Sequence, residues 1–155
     1  MGSASAANDA SSPLISLTES VTIWLHVVKR GIMPAMDQAA LEQWMERYIQ
    51  AWGSNDPQDI GALFTDDATY FTAPHREPWR GRQGIIDGWI DRKDEPGQWD
   101  FRYEVLAVAD ELGFVRGWTT YHTDEDDYSN LWVIRLDDQG RCSEFIEWWM
   151  VVERT

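Results

Sequence analysis

The chain has 155 residues, enough for one domain with one hydrophobic core. Its formal charge of −14, from 27 acids against 13 Lys and Arg, makes nucleic acid and anionic membrane surfaces poor partners, since both need cations to neutralise phosphate. A single cysteine, Cys142, and three scattered histidines, His26, His75 and His122, argue against an internal disulfide, a cysteine metal cluster and a zinc pair, and suit a reducing cytoplasm.

Residues 1–12 are small and polar, the composition of a disordered tail. The apolar run from Val21 to Val28 is too short to span a bilayer, and it lacks the flanks of a secretory signal. It is either a stray leader, with Met33 or Met36 as the real start, or a short helix docked on the domain. The expected division is a loosely attached extension over 1–36 and a domain over 37–155.

Asp37 is an N-cap candidate, and Leu41, Trp44, Met45, Tyr48, Ile49 and Trp52 follow at helical spacing, predicting an amphipathic helix stopped by Gly53. Asp56-Pro57 predicts a second, shorter helix with Ile60, Leu63 and Phe64 as its buried stripe. Ala68–Thr72 is a predicted strand ended by Pro74, and His75 to Gly81 a loop. A third helix is expected over 82–93, with Ile85, Ile86, Trp89 and Ile90 on one side. Four long strands follow over 98–109, 113–123, 128–138 and 141–153, with turns at Asp110-Glu111, in the acidic run 124–127 and at Asp138-Gln139-Gly140. Helices followed by a run of antiparallel strands describe an α+β sheet curled around helices.

The stretch MERYIQAWGSNDPQDIGALFTDDATYF, the PWRGRQGIIDGWI segment and the closing WVIRLDDQGRCSEFIEWWM hairpin resemble the nuclear transport factor 2-like superfamily, nearest its SnoaL-like and ketosteroid-isomerase-like branches. The resemblance implies a cone-shaped fold: a curved mixed or antiparallel sheet wrapped around three N-terminal helices, with one apolar pocket and a two-fold homodimer. A ketosteroid isomerase needs a base carboxylate beside a Tyr and a protonated Asp. Tyr48 matches the Tyr, with a plain core role as its alternative. The base position falls on Thr72 or Ala73 and the Asp position on Trp132, so classical ketosteroid isomerisation is not expected.

The resemblance puts Phe145, Glu147 and Trp149 on the pocket side of the last strand, and Trp132 and Ile134 on that of its neighbour; period-2 alternation supports each set as one face. Glu147 would then be a carboxylate among aromatics, with a raised pKa and the ability to carry a proton near neutrality. The alternative pairs it with Arg116 or Arg135 on the outer face. Strand 113–123 has two registers: one turns His122 and Trp118 inward with Phe114, Arg116 and Thr120, the other Tyr121 with Val115, Gly117 and Thr119. Trp52, Phe64, Tyr70, Trp79 and Trp89 complete the expected wall, although each of the ten Trp could equally be core. His75 is placed at the pocket mouth or on a surface loop. The Gly-bearing run at 80–84 lacks dinucleotide-motif spacing, so no cofactor is expected.

Three functions remain open from the sequence. The first is a cofactor-free acid–base enzyme of isomerase, cyclase or dehydratase type on an apolar or aromatic ring compound, with Glu147, Tyr48, Tyr121 and His122 as catalytic candidates. The second is a non-catalytic binder of a small hydrophobic metabolite, and the third a dimerising interaction module. For the N-terminal segment the expectation is specific: a chain starting at Met36 keeps its thermal midpoint. A fall of more than about 5 °C, on the order of 1 kcal/mol for a domain of this size, would mean that residues 13–35 pack on the core.

Overall fold

A computed structural model describes residues 36–123 and 126–152. The expected tail, apolar run and leader, two acids of the 124–127 turn and the end of the last strand at 153 lie outside the described residues.

The first helix, α1 (Gln38–Ser54), starts where Asp37 accepts the Ala40 N–H and buries Leu41, Trp44, Met45, Tyr48 and Ala51. It ends one residue beyond the expected Gly53, because Asn55 takes the left-handed conformation that terminates a helix, and its N–H returns to the Ala51 carbonyl. Helix α2 (Pro57–Ala62) is capped by Asp56, which accepts from the Gln58 N–H. Helix α3 (Gly81–Asp91) buries Ile85 and Trp89, with Ile86 and Ile90 packed at the edge of the core.

The strands are β1 (Phe64–Phe71), β2 (Trp79–Arg80), β3 (Trp99–Ala109), β4 (Leu112–Tyr121), β5 (Asp127–Leu136) and β6 (Cys142–Val152). They form a curved, unclosed mixed sheet in the order β2-β1-β6-β5-β4-β3. Only the β1–β6 pairing is parallel among the described residues; the others are antiparallel. The short β2 corrects the expected loop over 75–81. Residues 79 and 80 pair with Tyr70 and Thr69, an edge strand too short to leave an alternation signal. Strand β1 also begins earlier than expected, at Phe64.

The β3–β4 turn places Asp110 at φ 55°, and the β5–β6 turn places Gly140 at φ 68°. The second turn is further held by Asp137, whose carboxylate accepts from the Gln139 and Arg141 N–H groups and from the Arg141 guanidinium. These turns fix the registers of the two central hairpins.

The core lies between α1 and the concave sheet face. Trp44, Phe64, Ile60, Val115, Ile134 and Phe145 are fully buried there. Trp44 packs against Tyr48, Phe64 and Phe145, with ring centroids 5.2, 6.2 and 6.1 Å away, tilted toward the first and last and edge-on to Phe64. Large rings therefore fill the closed end of the concavity and leave the other end open.

Candidate functional site

At that other end lies a cavity of about 400 Å³, within the range of sites that enclose a small organic molecule. Helix α1 contributes Tyr48 and Trp52, one turn apart on a single face. Helix α3 adds Trp89, and the segment after it Arg92, Lys93 and Asp94. Strand β1 supplies Tyr70, with Thr72 just beyond, while Arg76 and Trp79 come from the β1–β2 region.

The remaining wall is made by alternation. In β5 and β6 the register sets Trp132 opposite Glu147 and Asn130 opposite Trp149. Four inward side chains thus form one patch on the concave face. In β4 the same rule turns Thr119 and Tyr121 inward behind Val115 and Gly117.

Glu147 is at the centre of this patch. Its Oε1 accepts from the Asn130 side-chain amide at 2.8 Å and from the Trp132 indole N–H at 3.1 Å. Asn130 is itself oriented by the Thr119 hydroxyl, which donates to its Oδ1 at 3.3 Å. Both donors serve Oε1, which leaves Oε2 to the cavity. Burial among rings raises the Glu147 pKa from 4.5 to about 7; the two hydrogen bonds oppose the rise and the Asp94 charge adds to it. A carboxyl group poised there exchanges its proton readily at neutral pH.

Two tyrosines face the same space. The Tyr48 and Tyr70 hydroxyls lie 2.8 Å apart in one hydrogen bond. Burial pushes both phenols well above their usual pKa, reinforced by the Glu147 charge. They therefore stay neutral, and since only one proton is used between them, the pair retains a second O–H to offer an oxygen atom. Across the cavity, Asp94 Oδ2 accepts from the Trp52 indole at 2.8 Å and from the Tyr121 hydroxyl at 2.9 Å. Asn55 ties this segment to α1, donating to the Asp94 carbonyl and accepting from the Trp89 indole.

Among the residues singled out in the sequence, Glu147, Tyr48, Tyr121, Trp52, Tyr70, Trp79, Trp89, Trp132 and Trp149 meet at this cavity. The others do not. Phe145, Ile134 and Phe64 share the inward face but sit deeper, completely buried among the core rings. Trp118 lies on the outer face, where Arg102 stacks 3.7 Å from its ring. His122 has that same outward parity and is exposed, paired with Asp100 at 3.0 Å. His75 is exposed beside the cavity residue Arg76 and is not part of the lining. The alternative partners of Glu147 are engaged elsewhere: Arg116 with Glu104, and Arg135 with Glu111 and Glu144. Thr72 lines the cavity and uses its carbonyl to accept the Trp149 indole N–H, while Ala73 is buried.

Asn130, Asp94, Arg76, Arg92 and Lys93 were not anticipated. Extending the Trp132 alternation by two residues would have found Asn130. The others lie in irregular segments, where no periodicity marks an inward residue. Among the described residues, no three His, Cys, Asp or Glu side chains are grouped to hold a metal ion, and no helix is long and apolar enough to cross a membrane.

Residues 45–149 match the family model of the SnoaL-like domain. No curated protein matches the sequence. Among solved structures, an NTF-2-like protein of unknown function from Burkholderia xenovorans is 13% identical with a TM-score of 0.61, over 76% of this chain and 88% of that one. SalBIII, an epoxide hydrolase/cyclase-like enzyme with a role in pyran ring formation in the polyether salinomycin, is 14% identical with a TM-score of 0.59, over 74% and 93%. A provisionally assigned ketosteroid isomerase from Kribbella flavida is 16% identical with a TM-score of 0.58, over 76% and 82%. At these identities the likeness is one of fold.

The raised Glu147 pKa has a consequence for stability. The folded chain holds this proton more tightly than the unfolded one, so stability falls as pH rises from about 4.5 through about 7 and is then level. The full effect is about 3 kcal/mol. Glu147→Gln keeps the acceptor for Asn130 and Trp132 but cannot ionise. Thermal melts should show it more stable than wild type at pH 8 and nearly equal at pH 5. A difference that does not vary with pH would mean that Glu147 ionises normally.

Proposed function

The chain belongs to the SnoaL-like domain family, and from that premise we propose that it is a cofactor-free enzyme that moves a proton on a small, largely apolar ring compound bearing a carbonyl or comparable oxygen. The observation that carries this reading is Glu147, a carboxyl with a pKa of about 7 at the centre of an aromatic cavity. In its ionised form Glu147 takes a proton from carbon or water through Oε2, while the Tyr48–Tyr70 pair donates to the oxygen on which charge develops. Tyr121 and Trp52, bound to Asp94, shape the far wall.

The arrangement differs from classical ketosteroid isomerase in where the acid–base group stands. Thr72 and Ala73 carry no carboxylate. Yet Phe71 is in register with Ile146, so Glu147 enters the same region from the adjoining strand. A shift of one strand preserves a carboxyl group near the Tyr while changing its angle to a bound ring. The roles named for SalBIII, in pyran ring formation, and for the Kribbella protein, in isomerisation, are reactions that positioned acid–base groups can serve, and they accord with this reading.

Solvent-deuterium exchange at the α-carbon of 2-tetralone, followed by NMR, is the direct test. Wild type should accelerate exchange with a rate that rises with pH and levels off above about 7. Glu147→Gln should lose on the order of 100-fold and Tyr48→Phe on the order of 10-fold. If 2-tetralone binds with no acceleration by wild type, the cavity is a binding site for a hydrophobic metabolite and not a catalytic one.

The protein is further proposed to act as a homodimer through the convex face of its sheet, in a reducing cytoplasm that suits its lone buried thiol. Trp148, Met150 and Leu131 project there, 53%, 69% and 39% exposed, with Trp148 directly opposite Leu131. Large apolar side chains clustered on a monomer surface favour self-association. Light scattering at micromolar concentration should return twice the 17.9 kDa chain mass, and Trp148→Asp should shift it toward the monomer. A monomeric wild type would sink the proposal.

A further inference from the structure

The distribution of positive charge bears on what the cavity accepts. Of the ten Lys and Arg among the described residues, six are ion-paired: Arg80, Arg82, Lys93, Arg116, Arg135 and Arg141. Pairing is the expected state in a chain where acids outnumber cations 27 to 13. Arg47 donates to the Gly140 carbonyl, and Arg102 is laid on Trp118 on the outer face. The other two, Arg76 and Arg92, both line the cavity, and neither has a carboxylate within ion-pair distance among the described residues.

Each is instead held by a ring of the wall. The Arg76 guanidinium lies 5.8 Å from the Trp149 ring centroid, and that of Arg92 lies 5.8 Å from Trp79. Cation–π contact positions a guanidinium without neutralising it, so its N–H donors and its charge stay available. Both arginines are exposed, which places them where the cavity meets solvent. Lys93 adds a third cation to the lining, shared with Glu95 at 3.7 Å. The two acids of the wall are engaged away from the arginines: Asp94 with Trp52 and Tyr121, Glu147 with Asn130 and Trp132.

We propose that the ligand is an organic anion: an apolar or aromatic ring system that enters toward Glu147 and carries a carboxylate, sulfonate or phosphate held at the mouth by Arg76 and Arg92. This rests on the reading of the cavity as a small-molecule site and refines it. In a protein of net charge −14 the surrounding field repels anions. Two guanidinium groups with no ion-pair partner among the described residues offer positive charge at one opening, and their planar donor forks fit the oxygens of such a group.

The test uses one fluorescent skeleton with and without the charge: 1-anilinonaphthalene-8-sulfonate and N-phenyl-1-naphthylamine. Wild type at low salt should bind the sulfonate at least fivefold more tightly, and 0.3 M NaCl should erode that advantage by screening. The double variant Arg76→Gln, Arg92→Gln, altered only at exposed positions, should lose the preference while its affinity for the uncharged amine stays within about twofold. Equal binding of the two probes by wild type, or a preference that survives in the variant, overturns the anion assignment and leaves the small-molecule site standing. Failure of both probes to bind overturns both readings together.

Discussion

The register of β5 against β6 is the constraint on which the rest of the site depends. Trp132 sits opposite Glu147 and Asn130 opposite Trp149. Because side chains alternate, a one-residue slip of β6 would turn Glu147 and Trp149 to the convex face and bring Trp148 into the concavity, and the same slip of β5 would turn out Asn130 and Trp132 and bring in Leu131. The β5–β6 turn opposes that slip. Asp137 binds two backbone N–H groups and the Arg141 side chain, and Gly140 supplies the positive φ that closes the turn. A surface turn thus determines whether a carboxyl group is inside the protein.

With the register set, aromatic packing divides the concavity into a filled end and an open end. Tyr48 contacts Trp44, Trp52, Trp89, Trp132 and Phe145, all within 6.2 Å between ring centroids. Trp44 and Phe145 close the space beneath it, whereas Trp52, Trp89 and Trp132 border the cavity. Core and wall are therefore one continuous cluster, and several of its rings serve both. The indole N–H groups explain why Trp recurs where Phe would also fill space. Those of Trp52, Trp89, Trp132 and Trp149 each donate to an acceptor, two of them to the carboxylates of Asp94 and Glu147.

These donors also set the electrostatics. A carboxyl buried among rings without hydrogen bonds would resist ionisation far beyond neutrality, and one in water would ionise near pH 4. Two donors on a single oxygen of Glu147 bring it between those limits. Thr119, through Asn130, extends the same network into β4, so three adjacent strands cooperate in placing one titratable group.

Much of the fold was legible in the sequence because periodicity reports burial. The α1 stripe, the Asp37 and Asp56 caps, the Ile and Trp face of α3 and the four long strands all follow from spacing and turn chemistry; alternation grouped Glu147 with Trp149 on one face of its strand, and the family resemblance set that face, with Trp132 on the neighbouring strand, toward the pocket. Alternation gives parity but not depth: Phe145 and Glu147 share a face, and only the rings packed from α1 decide that the first is core while the second borders a cavity. Parity itself was undetermined in β4, where both registers carry plausible residues. Its antiparallel pairing with β5 turned Thr119 and Tyr121 inward and left Trp118 and His122 outside. Asp94, Arg76 and Arg92 lie in irregular segments without a repeating pattern, so their convergence on the cavity is a property of the closed tertiary structure alone.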